Sequence, residues 1–241
     1  MDGRWWIVLS TRHYPPSTFT KMDDLFPQKL TLKEANEFQD RLAARLVLED
    51  DFNENISSIG AAAMHTRGDF ITTSAVVFKT DSELKKFEVS DKNVAREKSP
   101  FPAVPGLESF RDGEILARVL RGFSKPDLFF IEGHGVNHPH KLGLASHVGL
   151  ALDIPTIAIS RDFIAGRIQA VDGKDAIVED GEVRGAVLKS GGLRIYVSPG
   201  HRISWQTALD FAKKCTKSVY PEPLKIAQHN MIEAINSNSK F

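Results

Sequence analysis

Residues 128–160 read LFFIEGHGVNHPHKLGLASHVGLALDIPTIAIS, with a short apolar run near each end of the stretch. The runs 128–131 and 155–159 carry no charged side chain, which is typical of strands covered on both faces of a sheet. Between them, residues 142–152 have the length and apolar content of a crossover helix. The stretch therefore predicts a strand–helix–strand unit whose two strands are parallel.

Further strands and helices are predicted on both sides of this unit. Thr31 to Glu34 fits a capping box, and the apolar spacing that follows predicts a helix to about Glu49. Residues 56–64 and 70–78 are apolar segments joined by a turn, which predicts a hairpin. The remaining predicted elements are a helix at 109–123, strands at 176–178, 183–188 and 193–197, a helix at 203–217 and a helix after Pro223.

The order of these elements indicates the fold class. Antiparallel strands first and strand–helix alternation later predict an α/β fold with a mixed β-sheet flanked by helices. No linker divides the chain, so we expect a single domain over residues 31–236. The Pro-rich opening is assigned to an N-terminal arm, residues 1–30, and residues 237–241 to a C-terminal tail.

The composition limits the classes of partner and compartment. Lys plus Arg total 31 and Asp plus Glu total 31, so a nucleic-acid site has to be a local patch. No run of about 18 apolar residues occurs, which predicts no membrane partner, and Trp5–Leu9 is too short for a secretory signal. The one cysteine, Cys215, favours a reducing compartment, cytoplasmic or nuclear. The oligomeric state is left open.

Polar residues directly follow the first apolar strand. Ligands of such sheets collect at the carboxyl ends of the strands, and Glu132 lies at that position. Gly133 and Gly135 flank His134 and are expected to let the backbone approach a bulky ligand closely. The sequence therefore predicts a binding site in the loop after this strand.

The histidines of this loop admit two kinds of site. His134 and His138 are four residues apart, but the glycines and Pro139 exclude the helix that aligns histidines in helical zinc motifs. A histidine-bound transition metal is therefore the weaker interpretation. A glycine-rich loop with imidazoles beside an acid can instead bind phosphate next to a hard metal ion. We expect His147, inside the predicted helix, to be a packing residue.

Three blocks of the chain match one family pattern. They are VPGLESFRDGE at 104–114, FFIEGHGVNHPHKLGLASHVGLALDIPTIAIS at 129–160 and YVSPGHRISWQTALDFAKKCTKSVYPEPLKIA at 196–227. Together they resemble the endonuclease V family. The resemblance implies a ribonuclease H-like fold and a DNA-repair type of endonuclease that depends on Mg²⁺, with Mn²⁺ as the alternative ion. Its substrate would be deaminated adenine, either hypoxanthine in DNA or inosine in RNA.

The resemblance also implies roles for individual residues. Asp112 and Glu132 fall on catalytic, metal-binding acids of the family with their side-chain lengths exchanged. Arg161 falls on a catalytic lysine and keeps its charge, and His201 falls on a family histidine that we expect to assist catalysis at the rim of the same acidic site. Ala62 falls on the first catalytic aspartate and offers no oxygen to a metal ion.

Glu108 is a candidate for the missing metal ligand. If the helix predicted at 109–123 already begins at Pro105, Glu108 lies four residues before Asp112 on the same face. Ala103 falls where family members place a tyrosine beside the damaged base, which predicts weaker lesion recognition. The residues expected to bind substrate are Pro105, Gly106, Gly133, His134, Gly135, His138 and Arg161.

Two functional hypotheses follow from this uneven match. The first is an endonuclease V-like nuclease with a rearranged site of Asp112, Glu132 and Glu108. The second is a family member that has lost cleavage, binds metal weakly or not at all, and acts as a nucleic-acid-binding or scaffold protein. The loss of the aspartate at Ala62 favours the second, whereas the retained acids favour the first. DNA and RNA remain equal alternatives as the partner.

Overall fold

The computed structural model of the protein describes residues 24–53 and 55–238. All nine strands of this part of the chain belong to one mixed sheet, in the order β3-β2-β1-β4-β5-β9-β8-β7-β6. The strands are β1 (Ser58–Arg67), β2 (Phe70–Thr80), β3 (Phe87–Lys98), β4 (Leu128–Glu132), β5 (Thr156–Ser160), β6 (Arg167–Val171), β7 (Lys174–Glu179), β8 (Glu182–Ser190) and β9 (Leu193–His201). The helices are α1 (Leu32–Ala43), α2 (Glu108–Arg121), α3 (Leu144–Leu152), α4 (Trp205–Cys215) and α5 (Glu222–Asn238).

The predicted strand–helix–strand unit is confirmed and lies at the centre of the sheet. β4 pairs in parallel with β5 through α3, and β1 pairs in parallel with the other side of β4. Because the three strands point the same way, Glu132 and Ser160 lie at one end, which we call the carboxyl end of the sheet. The opposite end, where β4 and β5 begin, is called the amino end.

Alternating side chains of the central strands feed two apolar layers. Phe130 and Ile159 face α4 and α5, whereas Phe129 and Ile131 face α2 and α3. The predicted α/β class with helices on both faces is therefore confirmed. Strand side chains that alternate between faces also decide which helix can reach each residue at the carboxyl end.

The first helix shows both a confirmed start and a wrong end. The Thr31 capping box is present, with the Thr31 side chain accepting from Glu34 N and the Glu34 carboxylate accepting from Thr31 N. The helix ends at Ala43 and does not continue to Glu49. Beyond it, the backbone of Val47 bonds to β9 and the residue after it, donating to His201 Nδ1 and accepting from Arg202 N. These long-range bonds stabilise a non-helical segment.

Residues 24–30, which the sequence assigned to the arm, pack against the domain. Phe26 stacks on His147 at 4.2 Å between ring centroids, and the His147 Nε2–H donates to Leu25 O at 2.7 Å. His147 is fully buried, as expected for a packing residue. The ordered body therefore begins by residue 24, and the rest of the predicted arm, residues 1–23, lies outside the described residues.

Sequence analysis did not predict the two edge strands of the sheet, β3 and β6. β3 and β6 are mostly exposed on both faces, so neither shows the apolar pattern that marks a buried strand. At the other end of the chain, α5 runs to Asn238, so the predicted tail begins within this helix, while residues 239–241 are not described. In the described part of the chain, no helix has the length and apolar character needed to cross a membrane.

Candidate active site

Glu132 at the carboxyl end is held by residues from far along the chain. The Gln228 Nε2–H donates to Glu132 Oε1 at 2.6 Å, from a helix that packs across β1, β2 and β4. The Tyr220 hydroxyl donates to Ile159 O at 3.3 Å and also interacts with the Glu132 carboxylate. Burial raises the pKa of Glu132, and the Gln228 bond, the Arg161 charge and the Tyr220 hydroxyl oppose that rise.

Arg161 joins the same group of side chains. It follows β5 directly and its guanidinium lies over the Tyr220 ring, 4.9 Å from the ring centroid. Its charge lowers the pKa of Glu132, so the two side chains are electrostatic neighbours as the sequence predicted. Arg161 is exposed, and an exposed guanidinium at this end of the sheet can bind a phosphate group.

Asp112 has a different partner from Glu132. It is only 7% exposed on α2, and both of its carboxylate oxygens accept from Arg111, from Nε at 2.6 Å and from Nη2 at 2.8 Å. Such a bidentate pair is among the stronger hydrogen-bonded contacts in proteins. The Asp112 carboxylate is therefore held by its own neighbour in the chain.

Glu108 and His134 lie close together beside the loop after β4. α2 begins at Glu108, so Glu108 and Asp112 lie one turn apart as predicted. Glu108 Oε1 accepts from Gly106 N at 3.2 Å. Burial lowers the pKa of His134, and the charges of Asp162 and Glu108 oppose that shift. The carboxyl end therefore carries one imidazole within electrostatic reach of two acids.

His138 connects the loop to the predicted Pro105–Gly106 turn. It is 3% exposed, and a hydrogen bond to the Gly106 backbone acts against the burial that lowers its pKa to about 4. Gln39 Nε2 donates to the same Gly106 carbonyl at 3.0 Å. The two segments predicted to bind substrate are therefore adjacent. His138 is buried and connects them through its hydrogen bond to Gly106.

The loop glycines have separate reasons for their identity. Gly133 has φ +133°, a backbone conformation that favours glycine. A Cβ on Gly135 would lie 2.2 Å from Pro199 O and 2.7 Å from Ser198 Oγ. Gly135 therefore lets the loop pack on β9, which corrects the expectation that it makes room for a bulky ligand.

His201 does not lie at the rim of this site. It pairs with Thr156 at the amino end of β5, whereas Glu132 pairs with Ile159 near the carboxyl end. Three residues of strand separate these positions by about 10 Å. His201 Nδ1 accepts from Val47 N at 3.3 Å, and its Nε2 lies 3.5 Å from Asp153 Oδ1. The geometry makes His201 a buried connection between β9 and the segment after α1.

The residues at the carboxyl end do not fit the divalent ion that the resemblance implies. Mg²⁺ requires several oxygen ligands in near-octahedral geometry. Glu132 and Asp112 are bonded to Gln228 and Arg111, and Ala62 is fully buried beside Ile131 without an oxygen. Over residues 24–53 and 55–238, no three His, Cys, Asp or Glu side chains gather as metal ligands, so Asp112, Glu132 and Glu108 form no such set.

Sequence reasoning missed Gln228 and Tyr220, which complete the Glu132 environment. Both lie more than eighty residues after Glu132; Gln228 reaches it because α5 packs on the sheet, and Tyr220 reaches it from the segment just before that helix. One signal was available. Gln228 follows buried Ala227 and lies four residues after buried Leu224, so it is a polar residue beside the apolar face of a helix.

Comparisons with known proteins agree on one family and one fold. The model of the Endonuclease V family matches residues 40–229. Endonuclease V of Nostoc sp. is 34% identical over 210 residues, covering 83% of this chain and 94% of the relative. The Streptomyces avermitilis endonuclease V structure has a TM-score of 0.76 at 26% identity, covering 88% of this chain and 96% of that one. Endonuclease V of Ciona intestinalis, solved with a 24mer DNA containing an inosine, has a TM-score of 0.74 at 21% identity, covering 86% and 98%.

Proposed function

Because this chain belongs to the endonuclease V family, we propose that it binds inosine-containing nucleic acid at the carboxyl end of its sheet without cutting it by the family's metal-dependent route. The Ciona relative bound to inosine-containing DNA supports the class of ligand. The exposed Arg161 beside the loop after β4 supplies the positive charge that a phosphate needs. DNA and RNA are both ligands of this class.

One observation supports the proposed absence of metal-dependent cleavage. Each acid that the family resemblance assigns to the metal already has a donor from the chain itself, Arg111 for Asp112 and Gln228 for Glu132. A divalent ion would have to compete with these donors for the two carboxylates, and it would lack the oxygen that Ala62 does not provide. A phosphodiester is a poor electrophile until its charge is neutralised, so binding is retained where cleavage is not.

A weak nuclease with a rearranged site is the second candidate function. The observation in its favour is that Glu108 and Asp162 both lie near His134, which puts acids beside the loop at the same end of the sheet. This function requires strand cleavage in the presence of a divalent ion. It therefore makes the opposite prediction from the first proposal in one assay.

Binding and cleavage are measured on the same fluorescent oligonucleotide. We expect inosine-containing DNA or RNA to bind in EDTA as tightly as in Mg²⁺ or Mn²⁺, and a denaturing gel to show no product in any condition. Product that accumulates in Mg²⁺ or Mn²⁺ would replace the first proposal with the second. Absence of binding to both DNA and RNA would refute both.

Arg161→Ala locates the binding surface. Loss of one phosphate contact should weaken binding by about 3- to 10-fold and reduce its salt dependence. Lys85→Ala is the matched control, because Lys85 is an exposed cation in the turn between β2 and β3, at the amino end of the sheet. Equal losses for the two variants would mean that the carboxyl end is not the binding surface.

A further inference from the structure

Gln228 is the residue that most clearly sets the chemistry around Glu132. Its amide donates a short hydrogen bond of 2.6 Å to the carboxylate, and its own helix is anchored by buried Leu224, Ala227 and Met231. An amide has N–H donors and no charge, so it satisfies a carboxylate without a metal ion. A carboxylate at position 228 would instead face Glu132, and the two like charges would favour a shared proton or a bound cation between them.

We propose that Gln228 takes the place of a divalent cation as the partner of Glu132 and keeps the carboxyl end of the sheet free of metal. The inference rests on the proposed function, because it explains how the site persists as a binding surface without an ion. Gln228 acts here as a positioning residue, since it touches Glu132 and fixes the direction of that side chain.

Arg161 and Tyr220 act together with Gln228 as partners of Glu132 in place of a metal ion. The positive guanidinium offsets the negative carboxylate, so the group has no net charge for a divalent ion to neutralise. Arg161 is itself held over the Tyr220 ring, and Tyr220 is held by Ile159 O. An added divalent ion would meet the like charge of Arg161 beside the Glu132 carboxylate, which opposes binding.

The test converts the amide to a carboxylate and measures metal binding through thermal stability, without nucleic acid. Wild type should show no rise in Tm with millimolar Mn²⁺ beyond the rise caused by NaCl at the same ionic strength. Gln228→Glu should gain on the order of 5 °C, because a bound ion stabilises the native state by mass action. Gln228→Leu should gain clearly less than Gln228→Glu, since it removes the amide but adds no ligand.

A swapped pair provides the matched control for charge. The double variant Glu132→Gln with Gln228→Glu keeps one amide and one carboxylate in contact, so we expect it to fold and to ignore Mn²⁺. If Gln228→Glu folds only when Mn²⁺ is present, that result supports the inference as well. If Gln228→Glu folds neither with nor without Mn²⁺, the shorter Gln228→Asp is tested instead. We expect the same rise in Tm with Mn²⁺ for that variant.

Three outcomes would overturn the inference. They are a specific Mn²⁺ stabilisation of wild type, an equal stabilisation of Gln228→Leu, and folded carboxylate variants that do not respond to Mn²⁺. This readout is independent of oligonucleotide binding. A failure of the proposed function therefore appears in the binding assay, whereas a failure of this inference appears in the melting curves.

Discussion

The two ends of β5 carry polar clusters of opposite character. At the carboxyl end, Glu132 is surrounded by Gln228, Tyr220 and exposed Arg161, and the adjoining loop carries His134 within electrostatic reach of Glu108 and Asp162. At the amino end, His201 is 3% exposed and bonds to the backbone of Val47. The first cluster presents charge to solvent, whereas the second joins segments of the fold.

The polar groups of the amino-end cluster bond to other residues of the chain. Arg202 donates to Asp51 O at 3.1 Å and to Asp153 Oδ1 at 2.7 Å, and its own backbone N–H bonds to Val47 O. Asp50 accepts from Ser204 N at 2.7 Å and thereby supports the start of α4. A histidine that matches a family motif can therefore stabilise the fold, as His201 does, although the motif alone assigned it to catalysis.

The largest expected effect comes from Ala62→Asp, which asks whether the carboxyl end can accept the missing acid. Ala62 is fully buried in the apolar layer with Leu116 and Ile131, so an aspartate there should reduce the free energy of unfolding by about 3–5 kcal/mol. Chemical denaturation measures this loss. Ala62→Asn, which has the same shape without a charge, should lose less.

The same variant also probes chemistry. We expect Ala62→Asp to remain unable to cut an inosine-containing oligonucleotide at temperatures where it is folded, because Arg111 and Gln228 still hold the other two acids. Cleavage gained by this single substitution would contradict that expectation and indicate an almost complete nuclease site.

His201→Ala should separate structure from binding. It leaves a cavity and removes the acceptor of the Val47 N–H, so the free energy of unfolding should fall by about 2–4 kcal/mol. Oligonucleotide affinity, measured where the variant is folded, should stay within about twofold of wild type. A large loss of affinity with unchanged stability would return His201 to the binding site.

The pH dependence of stability gives a smaller effect from the same residue. Burial lowers the pKa of His201 to about 4, although Asp153 and Asp51 oppose the shift. Between that value and the ordinary histidine pKa, the unfolded chain takes up a proton that the native state refuses, so stability is lost as the pH falls. From pH 6 to pH 5, wild type should lose about 1 kcal/mol more than His201→Gln. Parallel pH curves for the two proteins would show that His201 is not buried as a neutral group.

Glu132→Gln should have the smallest effect on stability, within about 1 kcal/mol at neutral pH. Burial raises the pKa of Glu132, so the native state holds this proton more tightly than the unfolded chain. Wild type therefore loses stability relative to the variant as the pH rises from the ordinary carboxyl pKa through the raised pKa, and below the ordinary pKa their relative stability no longer changes with pH. Denaturation at pH 4 and pH 7 measures the change, and the opposite trend would mean that the partners outweigh burial.

Local sequence signals predicted the centre of the fold well and its sides poorly. The apolar runs of β4 and β5 and the capping box at Thr31 depend on neighbouring residues, so the sequence displays them directly. β3 and β6 contact the sheet on one side only and keep solvent-facing side chains, which hides them from pattern reasoning.

The candidate site was only partly predictable for a related reason. Glu132 and Arg161 could be placed together because each follows a parallel strand, and such strands end at the same end of a sheet. Gln228 reaches Glu132 from α5 and Tyr220 from the segment just before that helix, and no local pattern encodes these long-range contacts. His201 was misplaced because the motif match alone assigned it to the site, whereas antiparallel β9 ends where β5 begins, at the amino end of the sheet.

Crystals soaked in Mn²⁺ and examined by anomalous diffraction test the central claim most directly, because Mn²⁺ scatters anomalously and accepts carboxylate ligands. We predict no anomalous peak within ligand distance of Glu132 or Asp112, with the Gln228 and Arg111 hydrogen bonds intact. A peak bound by either acid, with its amide or guanidinium partner turned away, would contradict the claim that the chain's own side chains occupy this site.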